Sequence, residues 1–236
     1  GKTTTLYAFL NSINEDTINI HTIEDPIEYQ LKGISQMQVL PQIGFDFAMG
    51  LRSMLRHDPD IIMVGEIRDI STASIAIKAA QTGHLVLSTL HTNSAPETLT
   101  RLANMGVPAF NIATSVSLII AQRLARRLCE KCKTVADIPH ETLIDQGFNE
   151  DEVDDLVLYQ PVGCDSCNSG FKGRVGIYQV MPISEEMGKI IMESANSMTI
   201  AEQARKEGIP DLRQSALTKV KQGITSLEEA NRVTVE

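Results

Sequence analysis

Asp58-Pro59-Asp60-Ile61-Ile62-Met63-Val64-Gly65-Glu66 reads as a turn, four apolar residues and, just past them, a carboxylate. A run this short and apolar at every position suits a strand buried on both faces, as in parallel sheets flanked by helices. Open sheets of that kind hold ligands outside the carboxyl ends of their strands. Glu66 stands at such an end, where it can polarise a magnesium-bound or attacking water. The plainer alternative is an exposed glutamate that merely closes a strand.

Working outward, Thr17 to Ile23 and Leu85 to Leu90 read as two more strands, and Thr4 to Ile13, Phe45 to Arg56 and Thr72 to Gln81 as helices. The alternation predicts an α/β fold with a mainly parallel sheet. Glu24-Asp25-Pro26-Ile27-Glu28 follows the first strand. Carboxylates around a proline-stiffened turn suit magnesium and water positioning in phosphoryl transfer, so Glu24 and Glu28 join Glu66 as candidates; a surface turn is the bland reading. Thr82-Gly83-His84 and Ser88-Thr89-Leu90-His91-Thr92 bracket the third strand. His91 falls on the same edge and can sense a γ-phosphate, whereas His84 lies at the opposite end and suits a turn.

Gly1-Lys2-Thr3, with Thr4 continuing into the helix, has the form of the last residues of G-x-x-x-x-G-K-[ST]. In that loop backbone amides cradle phosphate at a helix N-terminus, the lysine reaches the β and γ phosphates, and the hydroxyl binds Mg2+. The tripeptide is common by chance and takes its weight from the clusters downstream. Arg52, Arg56, Arg68 and Arg101 are candidates for phosphate contact or for reaching across a subunit interface. The start lacks a methionine and reads as the interior of a longer protein.

Farther along, Ser94 and Glu97 have capping-box spacing and predict a helix through Asn104. A long helix is expected from about Ala109 to Leu128, its carboxyl end carrying Arg123, Arg126 and Arg127 where the macrodipole favours cations. Residues 137–155 are acidic without a lysine or arginine and suggest a solvated excursion or short exposed helices. Arg174 to Val180 reads as a strand, followed by helices beginning near Ser184, Thr199 and Thr225.

Cys129-Glu130-Lys131-Cys132 and Cys164-Asp165-Ser166-Cys167 form two C-x2-C knuckles that use every cysteine of the chain. Two sulfurs from each complete a tetrahedral site for which zinc is the natural ion. The segment between them is longer than in the usual zinc pattern, and paired disulfides or an iron-sulfur cluster are the alternatives. With no open position or adjacent base, the expected role is to brace the fold, coupling metal binding to folding.

The 236 residues, 42% of them hydrophobic, suffice for one main core and a small satellite. A net charge of −9 argues against nucleic acid as the partner. A zinc-ribbon nucleic-acid module, using the arginines from Arg123 to Arg127, is the alternative from another class. It lacks an aromatic stacking platform. The longest apolar stretch, around Val116 to Ala121, is too short to cross a bilayer.

Taken together, these motifs resemble the secretion ATPase superfamily that powers type II secretion and type IV pili, over essentially the whole length. Gly1-Lys2-Thr3 is similar to the end of its Walker A loop, Ile23 to Glu28 to its Asp box, Met63-Val64-Gly65-Glu66 to its Walker B, and Thr82 through His91 to its His box. The cysteine knuckles resemble those of the pilus-extension and type II secretion branches rather than the retraction branch. Phe110 to Ala113, Ser117 to Cys129 and Thr225 to Val233 are most similar to the pilus-assembly branch. The resemblance implies a RecA-like P-loop core at 1–128, a zinc-binding insertion at 129–173, and a strand with a C-terminal helical region at 174–236. It further implies ATP hydrolysis driving pilus assembly, with type II secretion as the alternative. The expected assembly is a cytoplasmic homohexamer, peripheral at the inner membrane and attached only through a platform protein. The earlier Walker A residues and N-terminal domains of the family are missing from this stretch, so weak ATP binding and impaired ring formation are expected of it alone.

Overall fold

The computed structural model describes residues 1–193 and 196–234. Its central feature is a four-stranded sheet of β1 (Ile20–Glu24), β2 (Ser35–Gln38), β3 (Ile61–Val64) and β4 (Leu85–Ser88), ordered β2-β1-β3-β4 with every neighbouring pair parallel. β1 and β3 are buried at every position. Their two faces explain why. Ile20, Ile61 and Met63 pack against Tyr7 and Leu10 of α1 (Lys2–Ile13), while Ile23, Ile62 and Val64 pack against α2 (Phe47–Met54) and α3 (Ile70–Gln81). The Asp46 and Asp69 carboxylates cap α2 and α3, accepting from the Met49 and Thr72 amides at 2.7 and 2.8 Å.

The register pairs Ile23 with Val64 and Val64 with Ser88, so the carboxyl ends of β1, β3 and β4 lie level along one edge. The first strand runs one residue beyond the expected Ile23 and takes in Glu24. Because side chains alternate along a strand, Glu24 shares the face of Thr22 and Ile20, turned toward α1.

The chain forms two compact units. One comprises Lys2–Ile119 with Pro182–Gln203; the other comprises Ile120–Met181 with Ala204–Glu236 and Gly1. The first also holds α4 (Ala95–Asn104), capped by Ser94, together with α5 (Ala109–Ser115) and α8 (Glu185–Met192).

The long helix expected over 109–128 is not there. α5 ends at Ser115, and Leu118–Leu128 is a strand, β5, paired with β8 (Phe171–Pro182). Val116, Ile119 and Ile120 favour extended backbone, and β8 supplies a hydrogen-bonding partner that a helical reading of spacing does not foresee.

In the second unit a core of Ala125, Leu143, Phe148, Val153, Ile177, Leu217 and Val220 spans the cysteine segment and the C-terminal helices, so both belong to one packed body. The acidic stretch is thus two short helices, α6 (His140–Asp145) and α7 (Glu150–Val153), separated from β8 by β7 (Tyr159–Gln160), which pairs with β6 (Thr134–Val135). Leu143, Phe148 and Val153 are its buried anchors. α9 (Ser197–Lys206), α10 (Leu212–Lys221) and α11 (Leu227–Thr234) complete the chain. α9 and α11 begin near the expected Thr199 and Thr225 but are capped by other residues: Asn196 accepts from the Met198 and Thr199 amides, and Ser226 from the Glu229 amide. Thr225 instead donates to the Arg126 carbonyl at 2.8 Å.

Candidate nucleotide site and metal centre

Lys2 opens α1, and its Nζ lies 3.5 Å from both the Leu90 carbonyl oxygen and His91 Nδ1. His91 Nε2 is in turn 3.4 Å from Glu66 Oε2. Arg68 donates to Glu66 Oε1 and sits 3.6 Å from Asp25 Oδ2. Three strand ends and one helix start thus contribute to a continuous chain of polar side chains, Lys2–His91–Glu66–Arg68–Asp25. The Arg68 hydrogen bond holds the Glu66 carboxyl below its ordinary range despite partial burial, and the charges of His91 and Lys2 add to the effect. Gly65 lets the strand ends close up. A Cβ there would meet the Ile23 carbonyl oxygen at 3.2 Å and Glu24 Cα at 3.3 Å, both backbone atoms that cannot swing aside.

Glu24 is outside this chain. It is 2% exposed, its Oε2 accepts from the Tyr7 hydroxyl, and its Oε1 accepts from Thr22 Oγ1 at 2.5 Å and Gln36 Nε2 at 3.1 Å. Burial and the adjacent Glu24 carboxylate push the Tyr7 phenol up to about 12, which keeps it a donor. Glu28 is exposed, and its amide donates to Tyr7 Oη at 3.3 Å. Sequence reasoning passed over Tyr7, because a tyrosine on the buried stripe of a helix reads as core.

Gly1, Thr3 and Thr4 are exposed around the start of α1, where free amides and the helix dipole favour an anion. Arg52, on α2, donates to Ser71 Oγ at 3.2 Å, and Arg56, just past the end of that helix, donates to the Arg52 carbonyl at 3.3 Å. Arg101 is exposed in the last turn of α4. His84 Nδ1 lies 2.9 Å from the Ala79 carbonyl oxygen and 3.1 Å from Thr82 Oγ1, bracing the turn after α3.

The four cysteines converge in the second unit. All four sulfurs lie within 4.8 Å of one another, with Cys129–Cys164 at 3.9 Å and both Cys132–Cys167 and Cys164–Cys167 at 3.7 Å. No pair is bonded. A tetrahedron with metal–sulfur bonds of about 2.3 Å has edges of about 3.8 Å, so the donor set fits a four-thiolate ion. The knuckle backbone is shaped for thiolates: the Gly163 amide donates to Cys132 Sγ at 3.3 Å and the Cys164 amide to Cys167 Sγ at 3.2 Å. Gly170, at φ 84°, leaves no room for a Cβ, which would meet Pro161 Cβ at 2.4 Å. Beside the site Arg126 stacks on Phe171 at 4.1 Å and gives its side chain to the buried Glu229, at 2.7 Å from Nη2 and 2.9 Å from Nε. One arginine of the predicted helix tail therefore neutralises an internal carboxylate.

A parallel sheet with lysine, carboxylate and histidine gathered beyond its strand ends defines the P-loop nucleotide-binding class, in its RecA-like form. The chain belongs to the type II/IV secretion system protein family, which matches residues 1–232. It is 64% identical over 99% of its length to the type IV pilus assembly ATPase PilB of Pseudomonas aeruginosa, and 46% identical over 100% to the type II secretion system ATPase E of Vibrio cholerae. It covers 41% and 46% of those two proteins. The crystal structure of the pilus retraction motor PilT with bound ADP superposes with a TM-score of 0.71 at 28% identity, covering 100% of this chain and 58% of that one. Among the described residues no helix is long and apolar enough to cross a membrane.

Proposed function

We propose that the intact protein hydrolyses ATP to drive type IV pilin polymerisation, as a homohexamer held at the cytoplasmic face of the inner membrane by a platform protein. The observation that carries this reading is the chain of side chains from Lys2 through His91 and Glu66 to Arg68 and Asp25 at one sheet edge. The Pseudomonas relative supports pilus assembly, and the ADP in the PilT structure supports the nucleotide. Type II secretion is the second reading, favoured by the Vibrio relative.

Lys2 and the free amides of the first turn, from Lys2 to Thr4 with Gly1 before them, hold the phosphates. Thr3, Glu66 and Asp25 offer the hard oxygen donors that magnesium requires, with exposed Glu28 as a further carboxylate. Bound Mg2+ neutralises charge on the phosphate oxygens. Glu66, kept ionised by Arg68, orients the attacking water more than it retains a proton. Arg68 and His91 engage its two oxygens, so Arg68 withdraws for a water to take its place. His91 donates to the terminal phosphate and so distinguishes ATP from ADP. Arg52 and Arg56, exposed on and just past α2, act across the interface between subunits. In the cysteine site the ion is Zn2+, supported by the sulfur spacing, and it braces the fold.

In the full-length protein, Glu66→Gln is expected to retain ATP binding while steady-state turnover falls roughly a hundredfold or more; unchanged turnover would remove Glu66 from this role. A deletion strain that loses pili but still secretes exoproteins separates the two cargo readings. Elemental analysis of protein purified without added metal should find one zinc per chain, and a folded, metal-free preparation would contradict the assignment.

A further inference from the structure

Glu24 is a buried carboxylate with no cation within salt-bridge distance among the described residues. It is held by three neutral donors, and one of them, Tyr7, lies on the helix that Lys2 begins. Tyr7 is completely buried, and its hydroxyl is fully used. It donates to Glu24 Oε2 and accepts from the Glu28 amide at 3.3 Å and from Gln36 Nε2 at 3.4 Å. Gln36 on β2 is the second arm, also donating to Glu24 Oε1 at 3.1 Å. Held this way and 2% exposed, the Glu24 carboxylate has its oxygens turned inward onto these donors. Yet the residue beside it is Asp25, which meets Arg68 and through it Glu66.

We propose that Tyr7, with Gln36 as its second arm, is a positioning residue that fixes the acidic turn 24–28 against the phosphate-binding helix, acting through Glu24. Rather than contacting substrate, the hydroxyl sets where Asp25 and Arg68 stand relative to Lys2. Phenylalanine at this position would fill the same space while leaving a buried carboxylate oxygen without its donor, and the turn would reorient to solvate it. The inference rests on the ATPase reading above. Because Tyr7 touches no phosphate, its loss is expected in kcat and not in KM.

The test is a double-mutant cycle on the full-length protein, measuring ATP hydrolysis for Tyr7→Phe, Glu24→Gln and the pair. Tyr7→Phe should lower kcat about tenfold, with KM for ATP within about twofold, and the double variant should be no slower than Glu24→Gln alone. Losses that multiply, or a wild-type kcat in Tyr7→Phe beside a damaged Glu24→Gln, would overturn the proposal. Tyr29→Phe is the control. That variant keeps the ring that meets Tyr7 edge-on at 4.7 Å and should leave kcat unchanged, whereas a loss in Tyr29→Leu, which removes the ring, equal to that of Tyr7→Phe would mean that packing, not the Tyr7 hydroxyl, is at work. Should Tyr7→Phe fail to fold, Gln36→Leu, which cuts the second arm from the edge strand, must show the same non-additivity with Glu24→Gln, and multiplicative losses there overturn the proposal equally. Absence of ATPase activity in the wild-type protein would instead sink the functional reading itself, independently of these comparisons.

Discussion

Arg68 governs the charge state of Glu66, since its hydrogen bond stabilises the ionised carboxylate against partial burial. Removing it by Arg68→Ala raises that carboxyl toward its ordinary value. Under the proposed mechanism, in which ionised Glu66 orients the attacking water, the acid-side fall in turnover should then begin at a higher pH than in the wild type, a displacement read from the pH profile of kcat. The placement of Glu66 and His91 at one sheet edge was legible in the sequence because each follows an apolar strand whose carboxyl end is easily marked. The inward turn of Glu24 toward Tyr7, with Asp25 beside Arg68, was not. Extending a strand by one residue turns a side chain to the other face, and periodicity does not fix strand ends to one residue. Tyr7 was hidden for a different reason: nothing in an apolar helix stripe marks which ring carries a hydroxyl that is put to use.

At the scale of elements, the site depends on how closely β1 and β3 approach at their ends. A Cβ at Gly65 would press on the backbone of Ile23 and Glu24 and push the strand ends apart by a few tenths of an ångström. Gly65→Ala should therefore lower turnover by about tenfold in the full-length protein, while its thermal midpoint stays within a few degrees. The three predicted strands and the helices between them held because each is short, uniformly apolar or clearly capped. The segment from Ala109 to Leu128 did not, since its arginines and leucines satisfy helical spacing as well as extended pairing. What decides it is non-local: β8 lies more than 40 residues on, and Arg126 reaches Glu229 on α11.

For the molecule as a whole, two buried groups set different acid limits on its two units. His21 in β1 is pushed down by burial and by stacked His57, with ring centroids 5.7 Å apart, and its Nδ1 has no partner. A histidine whose folded value lies below 6.5 costs stability as pH falls below 6.5, because the unfolded chain takes up the proton first. Glu229 pays the burial penalty but is brought down to about 2 by the hydrogen bonds of Arg232 and Arg126, so its contribution persists above 4.5 and fades only below it. That contribution is at most on the order of 3 kcal/mol, reduced by screening at the half-exposed arginines. Hydrogen exchange followed down the pH scale should show β1 and its neighbours loosening before β5 and α11. Chelation at neutral pH should do the reverse, raising exchange in 129–171, α10 and α11 while β1 and β3 stay protected.

Burial across the cysteine cluster is lopsided, with Cys129 2% exposed and Cys164 open to solvent. A cage with one thin wall is attacked through that wall. Electrophiles and oxidants arriving from outside would modify Cys164 first, and an ion released by such damage would depart past it, leaving Cys129 as the last sulfur to be reached.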